Sequence, residues 1–574
     1  MKKRVTWLTM IIMVCLLTGC GAKEMPDYSG WLPETSYTEE TEQGVQVQGV
    51  DHQSIQASGT DASYATTYYD VNTLTDALLQ GESERLADYL WEDQIANGVY
   101  EVTKDDLNKN MLTFYVSSSE GDDNNMGLTP DSPKKTLEQF SGRSNITVLL
   151  KCGDVFEVEK SFSAGNGCVY ATYGKGARPV VSFYQKFEVP FEKVPGYKNV
   201  WVADLMNVKG IYNGQENKDN CNIGQLVIDG EINWKRVVVS TEESTEFDFA
   251  QSIEGGEECS WTVDWIQSKL YIHSKKNPNK QEIYVAPDVH GIVVDGKMDV
   301  TLKGWEVRGA GAHGCNIMNS IAVSVSNCFF YNIGGSVHRS AGIRYGNAVQ
   351  VWNSGKDIWI AYNYADWVFD SCYTNQGSSA ETLCENIIFE RNIGAHSFTG
   401  IETWADSYSA VPGKNIVYRD NLIYEMCDIT DPEQKLYGDK RGKLLLTDEE
   451  LTEYITYRGG YTYNQMCCLN ITSPVEPGGL TVEDNVFWET NRLLVLVGDM
   501  GENLTHVVNN FFHADVPTTD VYLYRQKNEL NEIIYKWRLM IPSNEESVRI
   551  AGNGKTEEEN RVYLEKVMRK IVSE

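Results

Sequence analysis

A chain of 574 residues, 41% hydrophobic and 11% aromatic, is long enough to bury a large core and reads as globular. Its formal net charge of −31 is not relieved by any cluster of lysine and arginine, which argues against nucleic acid as a partner because binding phosphates needs such clusters. The same acidity repels anionic polymers overall and lowers the expectation of an acidic substrate unless a local basic groove holds one.

Residues 1–20 have a basic start (Lys2, Lys3, Arg4), an apolar run from Trp7 to Leu17, and then LTGC ending at Cys20. A run this short does not span a bilayer as a permanent helix, and small residues before a cysteine mark a cleaved export signal. LTGC resembles the lipobox of bacterial lipoproteins, which implies that Cys20 becomes the lipidated first residue of a protein anchored to a membrane outside the cytoplasm. Residues 21–65 are rich in Glu, Gln, Ser, Thr and Gly and cannot bury enough apolar surface to offset ordering, so they read as a flexible acidic tether. Residues 66–111 show helical periodicity in TLTDALLQ and SERLADYLWEDQI and are expected to cap the first open strand edges of the body.

Residues 112–182 open with a strand (LTFYV), a polar turn (GDDNNMG) and a short amphipathic helix after Pro (SPKKTLEQF), followed by VLLKCGDVF and ATYGKGARPVV. Asp122 and Asp123 offer oxygens to calcium without a full ligand set, and nothing else in the sequence requires a cofactor or a metal. Residues 183–290 contain WVADL, QLVIDGEI, CSWTVDW and KLYIHSKKNP, which read as antiparallel hairpins and predict a small inserted β-subdomain that walls a groove.

Residues 291–525 repeat one phrase with altered spelling. IAVSVSN closes on Asn327, DIWIAYN on Asn363, NIIFERN on Asn392, NIVYRDN on Asn421, LTVEDN on Asn485 and THVVNN on Asn510. Each alternates apolar and polar residues before its asparagine, as a half-buried strand entering a tight turn does. Subtracting positions gives intervals of 36, 29, 29, 64 and 25, about one solenoid coil with insertions. Second strands follow in several units: AVQVW at 348–352, CYTNQ at 372–376, GIETW at 400–404 and LLVLV at 493–497. Stacked coils put equivalent asparagines about 4.8 Å apart, close enough for a hydrogen-bonded ladder. In the NIxxxxN phrases and the GIETW-type strands the chain resembles the right-handed parallel β-helix superfamily of pectate-lyase-like proteins, over about 115 to 525. The resemblance implies an all-β, right-handed parallel β-helix solenoid carrying the inserted subdomain between helical caps. The opening segment, with its tyrosine strand, GDDNNG-like loop and SPxKTL helix, is similar to that of bacterial β-helix proteins.

A second interruption at 430–458, with a helical DEELTEYITY, accounts for the interval of 64, and residues 526–574 are helix-prone and suit a C-terminal cap. Of 13 cysteines, Cys15 lies in the signal and Cys20 at the lipidation site, leaving 11. Cys328, Cys372, Cys384, Cys427, Cys467 and Cys468 fall in or beside strand phrases, as small buried hydrophobes do, and an odd remainder disfavours a disulfide framework.

Alternation also locates a candidate site. In GIETW an inward Ile401 turns Glu402 and Trp404 outward, and in AVQVW it turns Gln350 and Trp352 outward. DSCYTNQ projects either Thr374 and Gln376 or Tyr373 and Asn375; aligned by its terminal polar residue, it completes two ladders, Gln350–Thr374–Glu402 and Trp352–Gln376–Trp404. Indoles beside hydrogen-bonding side chains suit sugars, and a carboxyl group such as Glu402 between large side chains suits acid–base work. Glycosidases pair two carboxyl groups about 5 Å apart for retention or roughly 6.5–9.5 Å for inversion, so Asp370, Asp366 and Asp406 are the partner candidates. A lyase instead needs a base and a cation against a uronate, for which His338, Arg339, Arg344, Tyr345 and His396 are available. No residue set matches a lyase family's base-and-calcium pattern. The expectation is a monomeric, carbohydrate-active enzyme cleaving a polysaccharide, hydrolase before lyase, or alternatively a non-catalytic glycan-binding lipoprotein.

Overall fold

The structure is a computed structural model that describes residues 71–80, 86, 111–206, 208, 222–233, 236, 248–256, 258–264, 267–338, 343–377, 384–405, 413–426, 467–471, 479–488, 494–497, 507–508, 510–512, 522–527, 533–537, 548–550 and 557–571. The expected export signal and tether and the 430–458 interruption lie outside these residues.

Strands wind into coils whose successive turns pair in parallel, so the protein is a parallel β-helix. An 18-stranded sheet supplies two faces and a 10-stranded sheet the third. The first face stacks Ile292–Asp295, the first part of Cys315–Ser326, the first part of Val349–Ala361, Ser371–Gly377, Thr399–Ala405 and Cys467–Ile471. The second stacks Met298–Lys303, the later parts of those two long strands, Cys384–Glu390, Gly413–Arg419 and Leu480–Glu483. Glu306–Arg308, Phe329–Ile333, Tyr364–Val368, Ile393–Ala395, Leu422–Tyr424 and Val486–Trp488 form the third. Period-two alternation explains the core: Ile387 and Phe389 point inward, in register with Ile358 and Ile360 on one side and Ile416 and Tyr418 on the other, and all are buried. The described core cysteines Cys168, Cys315, Cys328, Cys372 and Cys384 are buried and free.

The asparagine ladder exists, with one correction to its register. Each Oδ1 accepts the backbone N–H of the previous rung: Asn392 from Asn363 at 3.0 Å, Asn421 from Asn392 at 2.9 Å, Asn485 from Asn421 at 3.0 Å and Asn510 from Asn485 at 3.0 Å. Each amide also donates to a carbonyl of the coil behind, as Asn392 does to Ile360 at 2.9 Å. Asn327 is not a rung. Cys328 holds the rung, its N–H donating to Asn363 Oδ1 at 3.0 Å, and Asn327 sits one residue earlier at φ 52°. That earlier position is left-handed in each coil where it is described, at Tyr362, Arg391, Asp420 and Asp484. The rung asparagines themselves are not left-handed; they serve the turn through their side chains.

The inserted subdomain is present and antiparallel. One four-stranded sheet joins Gln185–Lys186, Ile223–Ile228, Glu231–Asn233 and Ile283–Pro287, and another joins Glu192–Lys193, Val200–Asp204, Trp261–Asp264 and Lys269–His273. They share a separate core that includes Trp201, Leu226, Trp261, Leu270 and Val285. The coils before and after the insertion pair directly, Phe162 with Ile292, Cys168 with Val300 and Val180 with Glu306, so the stack is not interrupted.

The helices differ from expectation. Val71–Leu79 and Glu557–Ile571 pack on each other and lie along the outer side of the third face, not over its ends. Leu74, Leu78, Leu564, Val567 and Met568 cover Tyr364, Ile393, Leu422, Val486 and Phe511, one outward residue from each successive coil. Arg561 pairs with Asp76 at 2.6 Å between the helices, and Lys566 with Asp484 at 2.9 Å holds the second one to the solenoid. An apolar outward row must be covered along its length, which an end cap does not do. Residues 526–574 are also not all helix: Ile533–Trp537 pairs antiparallel with Tyr522–Lys527, and Val548–Ile550 extends the third face. The expected helix in SPKKTLEQF is only a 3-10 turn, Glu138–Phe140. Asp123 accepts from the Lys135 and Thr136 amides and from Gln139, each within 2.9 Å, and Asp122 accepts from the Asn124 amide, so both carboxylates serve the turn.

Candidate active site on the first face

The expected ladders fall in register on the first face. Gln350 pairs with Thr374 and Thr374 with Glu402; Trp352 pairs with Gln376 and Gln376 with Trp404. The ambiguity at DSCYTNQ resolves because Tyr373 turns inward, its hydroxyl donating to the Ile393 carbonyl at 2.8 Å, and Asn375 meets the buried Tyr418 hydroxyl through its backbone N–H. Trp352 and Trp404 stand two rungs apart, about 9.6 Å along the stack, yet their rings lean into a stacked pair. The centroids are 6.2 Å apart at 14°.

Glu402 is 2% exposed. Its Oε2 accepts from Ser371 Oγ at 2.7 Å, from Gln376 Nε2 at 2.5 Å and from Thr374 Oγ1 at 3.5 Å. Three neutral donors thus hold a carboxyl group beside an indole pair. The polar chain continues away from it. Ser371 N–H donates to Asn347 Oδ1 at 2.9 Å, Asn347 Nδ2 to Gln350 Oε1 at 2.6 Å, and Gln350 Nε2 to Asn316 Oδ1 at 3.1 Å.

The partner candidates separate. Asp370 is buried at the corner one residue before Ser371, its carbonyl accepting the Thr399 N–H at 2.9 Å, and so stays with the Glu402 rungs. Asp366 is not there; it turns out of the third face to His396 Nδ1 at 2.8 Å, while Glu425 takes His396 Nε2 at 2.9 Å. Burial lowers the imidazole pKa, but the two carboxylates outweigh it and raise it to about 10, so His396 is a fixed cation stacked on Trp367 and not a base for Glu402. Asp406 and Arg339 lie outside the described residues, as does the side chain of His338.

Arg344 and Tyr345 belong to the joint between subdomain and solenoid. Arg344 is fully buried, stacks on Phe369, and donates to the Gly335 carbonyl at 2.9 Å and the Gly224 carbonyl at 3.1 Å. Gln225 of the subdomain donates to the Asn332 and Gly334 carbonyls at 2.9 Å, and Val337 joins the subdomain core. The Tyr345 hydroxyl donates to Asp288 Oδ1 at 2.8 Å. Arg344 and Tyr345 are therefore a clamp. A cavity of about 250 Å³ lies elsewhere, between the C-terminal helix and the solenoid, where Lys566 and Lys570 already meet Asp484 and Asp420.

No protein-family model matches the sequence, and no curated protein matches it. Among solved structures the chain is similar to XylC in complex with xylose, at 10% identity and TM-score 0.40 over 70% of this chain and 68% of that one. It is similar to a rhamnogalacturonan lyase at 10% identity and TM-score 0.36, over 74% and 78%. A GH136 lacto-N-biosidase from Eubacterium ramulus matches at 12% identity and TM-score 0.31, over 77% and 69%. At these identities and scores the matches define no reaction, substrate or catalytic set.

Alternation along strands missed Ser371, Asn347 and Asn316. The first two sit at corners where two consecutive residues face the core, Cys372 and Tyr373 after Ser371 and Ala348 and Val349 after Asn347, so period two loses its parity there. Asn316 was legible, since it continues the Gln350 row one coil earlier.

Proposed function

We propose that the first face binds a glycan and that Glu402 acts as acid or base in cleaving a glycosidic bond, by hydrolysis in preference to β-elimination. One observation carries this reading: a buried carboxyl group, fixed by Ser371, Thr374 and Gln376, stands in register beside a stacked indole pair. Sugars present apolar ring faces to indoles and hydroxyls to amides and carboxylates. Asp370 is the second carboxyl group, being the one partner candidate among the described residues that stays at these rungs. Elimination from a uronate needs a cation for its carboxylate. The outward rows through Asn316, Gln350, Thr374 and Glu402 and through Met318, Trp352, Gln376 and Trp404 hold no lysine or arginine, and Arg344 is spent in the clamp. Lipidation at Cys20 puts this face outside the cytoplasm on a membrane-held, monomeric protein.

The full tying of Glu402 Oε2 also fits a carboxylate that only receives a hydroxyl, which is the reading of a glycan-binding protein. Incubation with neutral and uronate polysaccharides separates the cases. New reducing ends without ultraviolet absorbance of an unsaturated uronate identify a hydrolase, the absorbance identifies a lyase, and retention without either identifies a binder.

A further inference from the structure

We propose that Gln376 selects the ligand of the first face: its carbonyl oxygen accepts a hydroxyl of the sugar lying against the indole pair, so the subsite takes a neutral, donor-bearing unit and turns away one that offers only acceptors there. This rests on the glycan-binding reading of that face.

The two outward rows differ in what reaches solvent. Asn316, Gln350, Thr374 and Glu402 are at most 3% exposed, whereas Met318, Trp352, Gln376 and Trp404 in the neighbouring row are each half-buried. The buried row also spends polar atoms on itself, Gln350 giving Oε1 to Asn347 Nδ2 and Nε2 to Asn316 Oδ1. A ligand therefore meets the half-buried row, whose one amide among the described residues is Gln376. Gln376 occupies the rung between Trp352 and Trp404, toward which both indoles lean.

The buried carboxyl group settles which way that amide points. An amide has one donating end and one accepting end, and a carboxylate only accepts. Glu402 Oε2 takes Gln376 Nε2 at 2.5 Å, beside the Ser371 and Thr374 hydroxyls, so the donating end faces Glu402 and the carbonyl oxygen turns away from it. Among the described residues that oxygen has no hydrogen-bond partner, and it is not sealed from water as Oδ1 of the preceding Asn375 is. Exchanging the two ends would set a carbonyl oxygen against a carboxylate, so Glu402 locks the amide in this sense. The row thus presents two apolar ring faces and, between them, one fixed acceptor. A sugar hydroxyl satisfies it, whereas a methoxyl group or a uronate carboxylate set there brings a second acceptor and leaves it unmatched.

The experiment measures affinity of the full chain for neutral xylo-, gluco- and galacto-oligosaccharides and for O-methylated counterparts of the same length. It compares the wild type with Gln376→Lys, Gln376→Glu and Trp404→Ala, each checked for an unchanged circular dichroism spectrum. The wild type is expected to prefer the free over the methylated form. Gln376→Lys keeps a donor for Glu402 but offers no acceptor, and lowers that preference about tenfold, the worth of one hydrogen bond. Gln376→Glu keeps the preference, because two carboxyl groups in contact share a proton and leave an accepting oxygen toward the indoles. An amide that merely props Glu402 gives the reverse pattern, tolerating lysine and not glutamate, and that result, or an unchanged preference in Gln376→Lys, overturns the assignment. Trp404→Ala weakens both forms alike; an unchanged affinity there, or no binding of any neutral oligosaccharide by the wild type, overturns the underlying glycan reading instead. Should Gln376→Lys not fold, the same ratio in Gln376→Met decides.

Discussion

Replacing Asn392 by alanine tests the ladder more sharply than any other rung. Its side chain is fully buried and makes four hydrogen bonds: Oδ1 accepts the Asn363 N–H and Nδ2, each at 3.0 Å, and Nδ2 donates to the Ile360 carbonyl at 2.9 Å and to Asn421 Oδ1 at 3.1 Å. Alanine strands the Asn363 N–H and the Ile360 carbonyl away from water, and at about 1–3 kcal/mol for each unsatisfied buried group the loss is about 3–4 kcal/mol. Asn327→Ala touches no rung. It asks alanine to adopt φ 52° and costs about 1 kcal/mol. Urea denaturation followed by circular dichroism reads both, with an unchanged slope showing that the same surface unfolds. A cost for Asn327→Ala equal to or above that of Asn392→Ala would refute the ladder register.

His396→Gln removes a cation held by Asp366 and Glu425, with the Tyr364 and Tyr424 hydroxyls nearby, and destabilises by about 3 kcal/mol at pH 6. Because the folded pKa is raised to about 10 from an unfolded value near 6.5, the difference from wild type is full below about pH 6.5 and fades as pH rises toward 10. Melting temperatures of the two proteins across that range check the sign; a gap that widens with pH contradicts it. Gly224→Ala places a Cβ 2.4 Å from the Gly334 carbonyl oxygen and 2.8 Å from Gly311 Cα, backbone that does not yield. The clamp loosens, at about 1–3 kcal/mol, and limited proteolysis cuts between 183 and 290 faster than in wild type, whereas an unchanged digestion pattern argues that the clamp does not fix the subdomain.

The solenoid was legible because each coil repeats an inward pattern that neighbouring coils must match in register, as Ile358, Ile387 and Ile416 do. Asn327 misled by one position because its coil spells Asn-Cys where the others place the asparagine second, and a left-handed corner accepts asparagine readily. The lateral helices left a trace that went unread. The residue after each ladder asparagine is apolar or aromatic, Tyr364, Ile393, Leu422, Val486 and Phe511, and such an outward row demands a cover. The two site ladders followed from alternation together with the alignment of DSCYTNQ by its terminal polar residue, whereas the fate of Arg344 did not. Its carbonyl partner at Gly224 lies 120 residues away, and no local pattern encodes a contact of that kind.

Under the proposed function Glu402 exchanges a proton with a glycan held by the indole pair. Glu402→Gln tests this on whichever polysaccharide the wild type cleaves, with turnover and binding measured separately. The amide keeps the shape and loses the proton exchange, so kcat falls about a thousandfold while the glycan is still bound. Unchanged turnover in that variant contradicts the assignment.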